Sequence, residues 1–365
     1  MKILSILDRY IIKKFLGTYV FSIVLIISIS VVFDINEKLD KFLTNNAPLK
    51  AIVFDYYMNF IPYYTNMFSA LFVFIAVIFF TSKLADNSEI IAMLSNGMSF
   101  RRLMKPYMIS AGVIALFSFA LNSFIIPPAN KDRIDFQNKY VKDKSVNTAR
   151  RIQLQVDNGV ILYLESFRNS SKQGTNMSLD SFDDKALKSR LTASRIQYDT
   201  LYNWKIFNYE IRRFEGMREF ITKGTEMDTV INIVPTDLLV SVTDFEQMTT
   251  PNLYKYINRQ KSRGIASVGE VSITQFEIEF HKRFASIFSA FILTIIGASL
   301  SSRKVKGGMG LNIGIGLGLS VSYILFQTVS SSFAVSGSMP PMLAVWIPNI
   351  VFIFIAAYLY SKAPN

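Results

Sequence analysis

The sequence predicts an α+β membrane protein: six transmembrane helices, three and three, with an extracytoplasmic β-jellyroll-like domain inserted between the third and the fourth. Three observations carry this. Six uncharged windows of about 20 residues each match a hydrocarbon core of about 30 Å, in a chain of 365 residues that is 50% hydrophobic. Between the third and fourth windows, continuous apolar runs give way to alternation. Basic residues at the window ends all fall on one side if the windows alternate in direction.

The windows cover residues 15–33, 62–82, 106–126, 284–300, 309–333 and 342–360. The first follows Lys13 and Lys14. It is long for a signal h-region and lacks a small-x-small cleavage site before Asp34, so it reads as a retained span. No Lys, Arg, Asp or Glu lies in a window interior; the strongly polar residues there are Asn66, Asn122, Asn312, Gln327 and Asn349. A mid-membrane charge costs about 2.5–3.5 kcal/mol and marks ion-coupled carriers. Energy for any transport is therefore expected from a partner. "GLNIGIGLGLS" sits inside the fifth window with no strand before it, so Gly310, Gly314 and Gly318 read as a helix-packing stripe rather than a nucleotide loop.

Orientation follows from four basic groups: Lys2, Arg9, Lys13 and Lys14; Lys83, Arg101, Arg102 and Lys105; Arg303, Lys304 and Lys306; and Lys362. Both termini are then cytoplasmic and the middle domain is extracytoplasmic. The net charge of +12 is partly this bias, and nucleic-acid binding need not be invoked. Without Cys there is no disulfide, thiolate nucleophile or Cys metal site. One histidine, His281, with no H-E-x-x-H, argues against a metal centre. No G-x-x-x-x-G-K-[ST] occurs, so no P-loop is present. No catalytic residue, metal or cofactor is expected in this chain.

From about 147 to 244, period-two segments between polar turns read as strands: "RIQLQV", "GVILYLESF", "RLTASRIQYD", "WKIFNYEIRRFEG", "REFITKG" and "TVINIV", spaced as in a sandwich or jelly roll. "NSSKQGTNMS" reads as a loop. A helix follows in "TTPNLYKYINRQKSRG", with Thr250 near its cap, Pro251 at its first position and Gly264 past its end. The expected domains are 1–130, 131–278 and 279–365.

The link between the second and third windows, "SEIIAMLSNGMSFRRLMKP" (88–106), has its own helical pattern near 86–97. Asp86 is placed to cap it with Glu89 three positions on, Ile90, Ile91, Met93 and Leu94 form an apolar face, and Gly97 suits a left-handed end. Ser99 can cap the next helix, which carries Arg101, Arg102 and Lys105. The residues alone fit both an interfacial helix and a cytoplasmic knob that docks on another protein.

"LDRYIIKKF", "SEIIAMLSNGMSFRRL", "PPAN", "WKIFNYEIRRFEG", "EFHKRFA" and "PPMLAVWIPN" are spread along nearly the whole chain. Together with the span count and the β insert, they resemble the LptF/LptG permease family, the membrane subunits of the lipopolysaccharide export ABC transporter. The resemblance implies a second LptF/LptG-type permease, a cytoplasmic ABC ATPase dimer (LptB-like) that binds the ATP, a periplasmic bridge protein (LptC/LptA-like), lipopolysaccharide as cargo, and a bacterial inner-membrane location. It implies an ATPase-coupling segment made by Glu89, Ile90, Met93, Leu94, Gly97 and Arg101. It also implies lipid phosphate-binding residues, which map to Lys38, Lys41, Lys131 and Arg133. The first loop departs from a uniformly basic pattern, because Asp34, Glu37 and Asp40 stand among its lysines. Whether the chain is LptF-like or LptG-like, and whether it pairs with itself, stays open. Two other classes also remain: an exporter of another lipid or lipoprotein, and a non-transporting envelope scaffold.

Overall fold

In the computed structural model, which describes residues 5–141, 148–169, 171–183, 186–238, 244–262, 267–268, 271–303 and 308–363, Ser5 opens the first helix with a capping box. Its Oγ accepts from the Asp8 N–H at 3.2 Å, and its own N–H donates to Asp8 Oδ2 at 2.9 Å, which satisfies orphan donors of the first turn. Span 1 then runs Ile6–Thr44, 39 residues, about 58 Å at 1.5 Å per residue. The helix therefore extends beyond a ~30 Å apolar layer, and its charged ends continue past the window seen in sequence. Lys2, Gly264, Lys304 and Lys306, used above, lie outside the described residues.

Among the described residues six helices are long and apolar enough to span: Ile6–Thr44, Ser69–Asp86, Phe100–Tyr140, Ile273–Ser301, Gly310–Val335 and Pro341–Ser361, numbered here as spans 1 to 6. The window at 62–82 divides at Phe68 into a shorter helix, Met58–Met67, and span 2. Ser99 caps span 3 as expected, its Oγ accepting from the Arg102 N–H at 3.3 Å. Pro127 and Pro128 remove two backbone donors, and just before them the ladder widens into a π-helical turn, Leu121–Ile125, before helix resumes at Ile126–Tyr140.

The chain divides into two compact units, Met1–Val141 with Ile278–Asn365, and Lys142–Glu277. In the first, span 2 is central. Phe72, Val73, Val77 and Phe80 pack with Ile11 and Phe15 of span 1 and Leu103 and Tyr107 of span 3. From another face, Phe74 and Ile78 meet Leu293 and Ile296 of span 4, Tyr323 of span 5 and Phe352 of span 6. Asn349 ties these last three together. It accepts from Tyr323 Oη at 2.8 Å and donates to the Ala285 carbonyl at 2.9 Å, as polar groups do between helices in lipid.

The second unit is built on a six-stranded antiparallel sheet: β1 Thr148–Asp157, β2 Val160–Arg168, β3 Gln173–Asp183, β4 Ala186–Tyr198, β5 Asn203–Glu215 and β6 Arg218–Val230, neighbours in chain order. Over the described residues the expected sandwich or jelly roll is thus a meander, because every connection is two to four residues long and too short to cross over. One of the two-residue connections, Asp157 to Val160, uses Gly159 at φ +71°. One face buries Ile152, Leu154, Leu162, Leu164, Ile196 and Trp204.

Two sequence readings change here. "NSSKQGTNMS", expected as a loop, lies mostly in β3, and "TVINIV" is not a strand of its own. Val230 ends β6, while Ile231 and Ile233 are buried beyond it, and the Ile233 carbonyl accepts from Trp204 Nε1 at 3.1 Å.

Candidate functional site

The segment between spans 2 and 3 forms a helix over Glu89–Ser95, shorter than the 86–97 expected. Asp86 does not cap it: span 2 continues through Asp86, and Ser88 makes the turn in left-handed backbone at φ +62°. Glu89 is therefore the first helical residue, not the third. Its Oε2 accepts from Tyr10 Oη of span 1 at 3.1 Å and its Oε1 from Asn87 Nδ2 at 3.2 Å. Gly97 does take the left-handed position, at φ +81°.

Three of the four residues of the expected apolar face point inward, and Ile91 does not. Ile90 is fully buried, and Met93 and Leu94 pack half-buried against the core shared by spans 1 to 3. The outward side consists of Ile91, Ala92 and Ser95. Arg101 is exposed, whereas its neighbour Arg102 reaches back to span 1. Arg102 Nη1 lies 2.7 Å from Asp8 Oδ1 and Nη2 lies 2.8 Å from Asp8 Oδ2, a bidentate pair of the kind that fixes orientation as well as distance.

At the far end of span 1, the four proposed phosphate ligands divide into two kinds. Lys38 is ion-paired with Asp34 and donates to Tyr56 Oη. Asp34 also accepts from Tyr57 Oη at 3.0 Å and Tyr56 Oη at 3.2 Å. Burial first, and then the Asp34 carboxylate, push the Tyr57 phenol well above its ordinary range, so it stays a donor. Arg133 is buried, its Nε donating to Asn130 Oδ1 at 2.8 Å and its guanidinium 4.3 Å from the Tyr63 ring centre. Lys41 and Lys131 are exposed, and of the four these two are open to an outside anion.

Among the described residues the glycine stripe meets no other helix of this chain. A Cβ on Gly310, Gly314 or Gly318 would meet nothing within 4 Å, whereas one on Gly316 would run into Ile78 and come within 3.4 Å of Phe74. Close packing of span 5 on span 2 thus runs through Gly316, and the three stripe glycines line an open side.

Residues 9–362 match the family described as "Lipopolysaccharide export system permease LptF/LptG". The chain belongs to the LptF/LptG family. It is 20% identical over 366 residues to "Lipopolysaccharide export system permease protein LptG" of Escherichia coli strain K12, covering 99% of both chains, and equally so to the protein of that name in E. coli O6:H1. Six apolar helices and this membership make it a multi-pass inner-membrane permease.

Sequence reasoning about this LptF/LptG chain missed Asp8, Tyr10, Asp34, Tyr56, Tyr63 and Arg102 as parts of the two sites. The available signal was Asp8 itself, a lone acid in a basic lead-in of Arg9, Lys13 and Lys14.

Proposed function

We propose that the chain is one permease subunit of an ATP-driven lipopolysaccharide exporter, in which Glu89–Ser95 is the surface that meets a cytoplasmic ATPase dimer. One observation carries the reading. The short helix is held to the membrane unit by Ile90, Met93 and Leu94 and turns Ile91, Ala92 and Ser95 outward, with half-buried Glu89 at its start. A helix anchored on one side and bare on the other is suited to receive a push.

In this reading both termini are cytoplasmic, consistent with Lys13, Lys14, Lys83, Arg101, Lys105, Arg303 and Lys362 at the same ends of alternating spans. ATP binding and hydrolysis belong to the LptB-like partner. Closure of that dimer moves the spans of two LptF/LptG-type permeases against each other and squeezes the lipid from between them. The sheet unit then passes it to an LptC/LptA-like periplasmic bridge, and each acyl methylene shielded from water is worth about 0.8 kcal/mol. Lys41 and Lys131 are the cations that meet its phosphates.

The test is purification with native associates followed by Glu89→Lys. A P-loop ATPase should accompany the wild-type protein, and the substitution should abolish either that association or the coupled hydrolysis. An unchanged complex with unchanged activity overturns the docking assignment. Reconstituted transport of lipopolysaccharide, against a phospholipid or lipoprotein cargo, separates this exporter from one for another lipid.

A further inference from the structure

Two side-chain ties join the first turns of span 1 to the region of Glu89–Ser95, one at its first residue and one beyond its end. At the start of the helix, Tyr10 donates to Glu89 at 3.1 Å. Beyond it, Arg102 grips Asp8 through two bonds of 2.7 and 2.8 Å and reaches Ser5 Oγ at 3.3 Å. The ties differ in kind. The Tyr10 contact is one exposed hydrogen bond to an oxygen that a docking partner would compete for. The Arg102 contact is bidentate and charge-assisted, Asp8 is buried, and the same carboxylate closes the capping box of span 1.

The backbone on either side of Glu89–Ser95 turns through left-handed residues, Ser88 and Gly97. Covalently, the helix is thus hinged at both ends to spans 2 and 3. Span 1 does not adjoin the helix in the chain; Arg102, in the first turn of span 3, ties that span to Asp8 of span 1 just beyond the Gly97 turn.

We infer that Asp8 and Arg102 are positioning residues for energy coupling: displacement of the Glu89–Ser95 segment reaches the first turn of span 3, where Arg102 sits, and their bidentate pair carries it on into span 1. Engagement of Glu89 releases Tyr10 while the Arg102 grip holds, so span 1 follows the start of span 3 as the segment displaces it. This rests on the docking reading proposed above.

The chain has no Cys, so two introduced cysteines can be labelled uniquely. Spin labels at Ile6→Cys and Ser95→Cys, both exposed positions, should give one narrow distance distribution in the purified permease. Asp8→Asn and Arg102→Gln should each broaden it, and the double variant should be no worse than either, the signature of two residues acting through one bond. In the reconstituted complex, Arg102→Gln should lower the lipid moved per ATP hydrolysed severalfold with the ATPase still bound. Arg102→Lys, which keeps the charge but not the fork, should fall between, and Lys105→Gln should match wild type.

Additive effects of the single variants, or an unchanged lipid-to-ATP ratio alongside a broadened distance, would overturn the inference. If the ATPase fails to associate even with the wild-type protein, the docking reading falls instead. The distance measurement, made without the ATPase, keeps the two outcomes apart.

Discussion

Lys38 and Lys41 stand three residues apart on one helix and meet opposite surroundings. Lys38 is enclosed by Asp34 one turn back and Tyr56 from the next segment, whereas Lys41 faces outward. Substituting Lys38 by Ala leaves Asp34, 9% exposed, with two phenol donors and no cation. That should destabilise the protein by about 1–3 kcal/mol. Lys41→Ala should change stability by no more than about 0.5 kcal/mol while weakening retention of lipid bearing phosphates. Thermal unfolding in detergent, with lipid retention measured on phosphorylated and dephosphorylated lipid A, checks both halves. A Lys38→Ala protein that melts as wild type but loses phosphorylated lipid would reverse the two roles. The sequence shows four basic residues with the local neighbours Asp34 and Asn130, but not the rings, because Tyr56 and Tyr63 arrive from another segment.

At the scale of elements, β3 shows what periodicity leaves out. Gly174 faces the core between Leu164 and Ile196; a Cβ there would sit 3.0 Å from the first and 2.8 Å from the second. With glycine at one core-facing position, Met177 is the single apolar mark left in "NSSKQGTNMS", so its polar residues read as a loop. Gly174→Val should improve intrinsic strand preference yet destabilise the sheet unit by about 1–3 kcal/mol through overpacking. Emission from buried Trp204, followed through thermal unfolding in a Trp346→Phe background, should report an earlier transition; an unshifted one would mean that β2 and β4 relax around the new side chain. The six spans were legible for the converse reason: the solvent itself demands about 20 apolar residues in a row. The helix at Glu89–Ser95 was legible as an amphipathic stretch, but its start was not. A left-handed Ser88 has no compositional signature, and Asp86 looked like the better cap. Asp8–Arg102, spanning 94 positions, lies beyond any local pattern.

Across the whole molecule, burial within the chain is uneven. Span 2 is 67% buried in its most apolar window and span 4 61%, against 17% for span 1 and 22% for span 5. Span 5 spends one glycine, Gly316, on span 2 and turns Gly310, Gly314 and Gly318 to an open side. Lipid tails give helices no hydrophobic reason to associate, and small residues matter by letting backbones approach. The two kinds of glycine therefore predict separable defects. Gly316→Leu should overpack against Ile78 and Phe74, costing about 1–3 kcal/mol and lowering the melting temperature of the purified subunit. Gly314→Leu has room within the chain and should leave that temperature unchanged. If the stripe seats a second permease, as the proposed function requires of some face, Gly314→Leu should reduce the amount of that partner recovered in copurification, with the subunit itself intact. A pair that survives leucine at Gly314 would assign the stripe to lipid and send the search for the partner contact to span 1, the other sparsely buried helix.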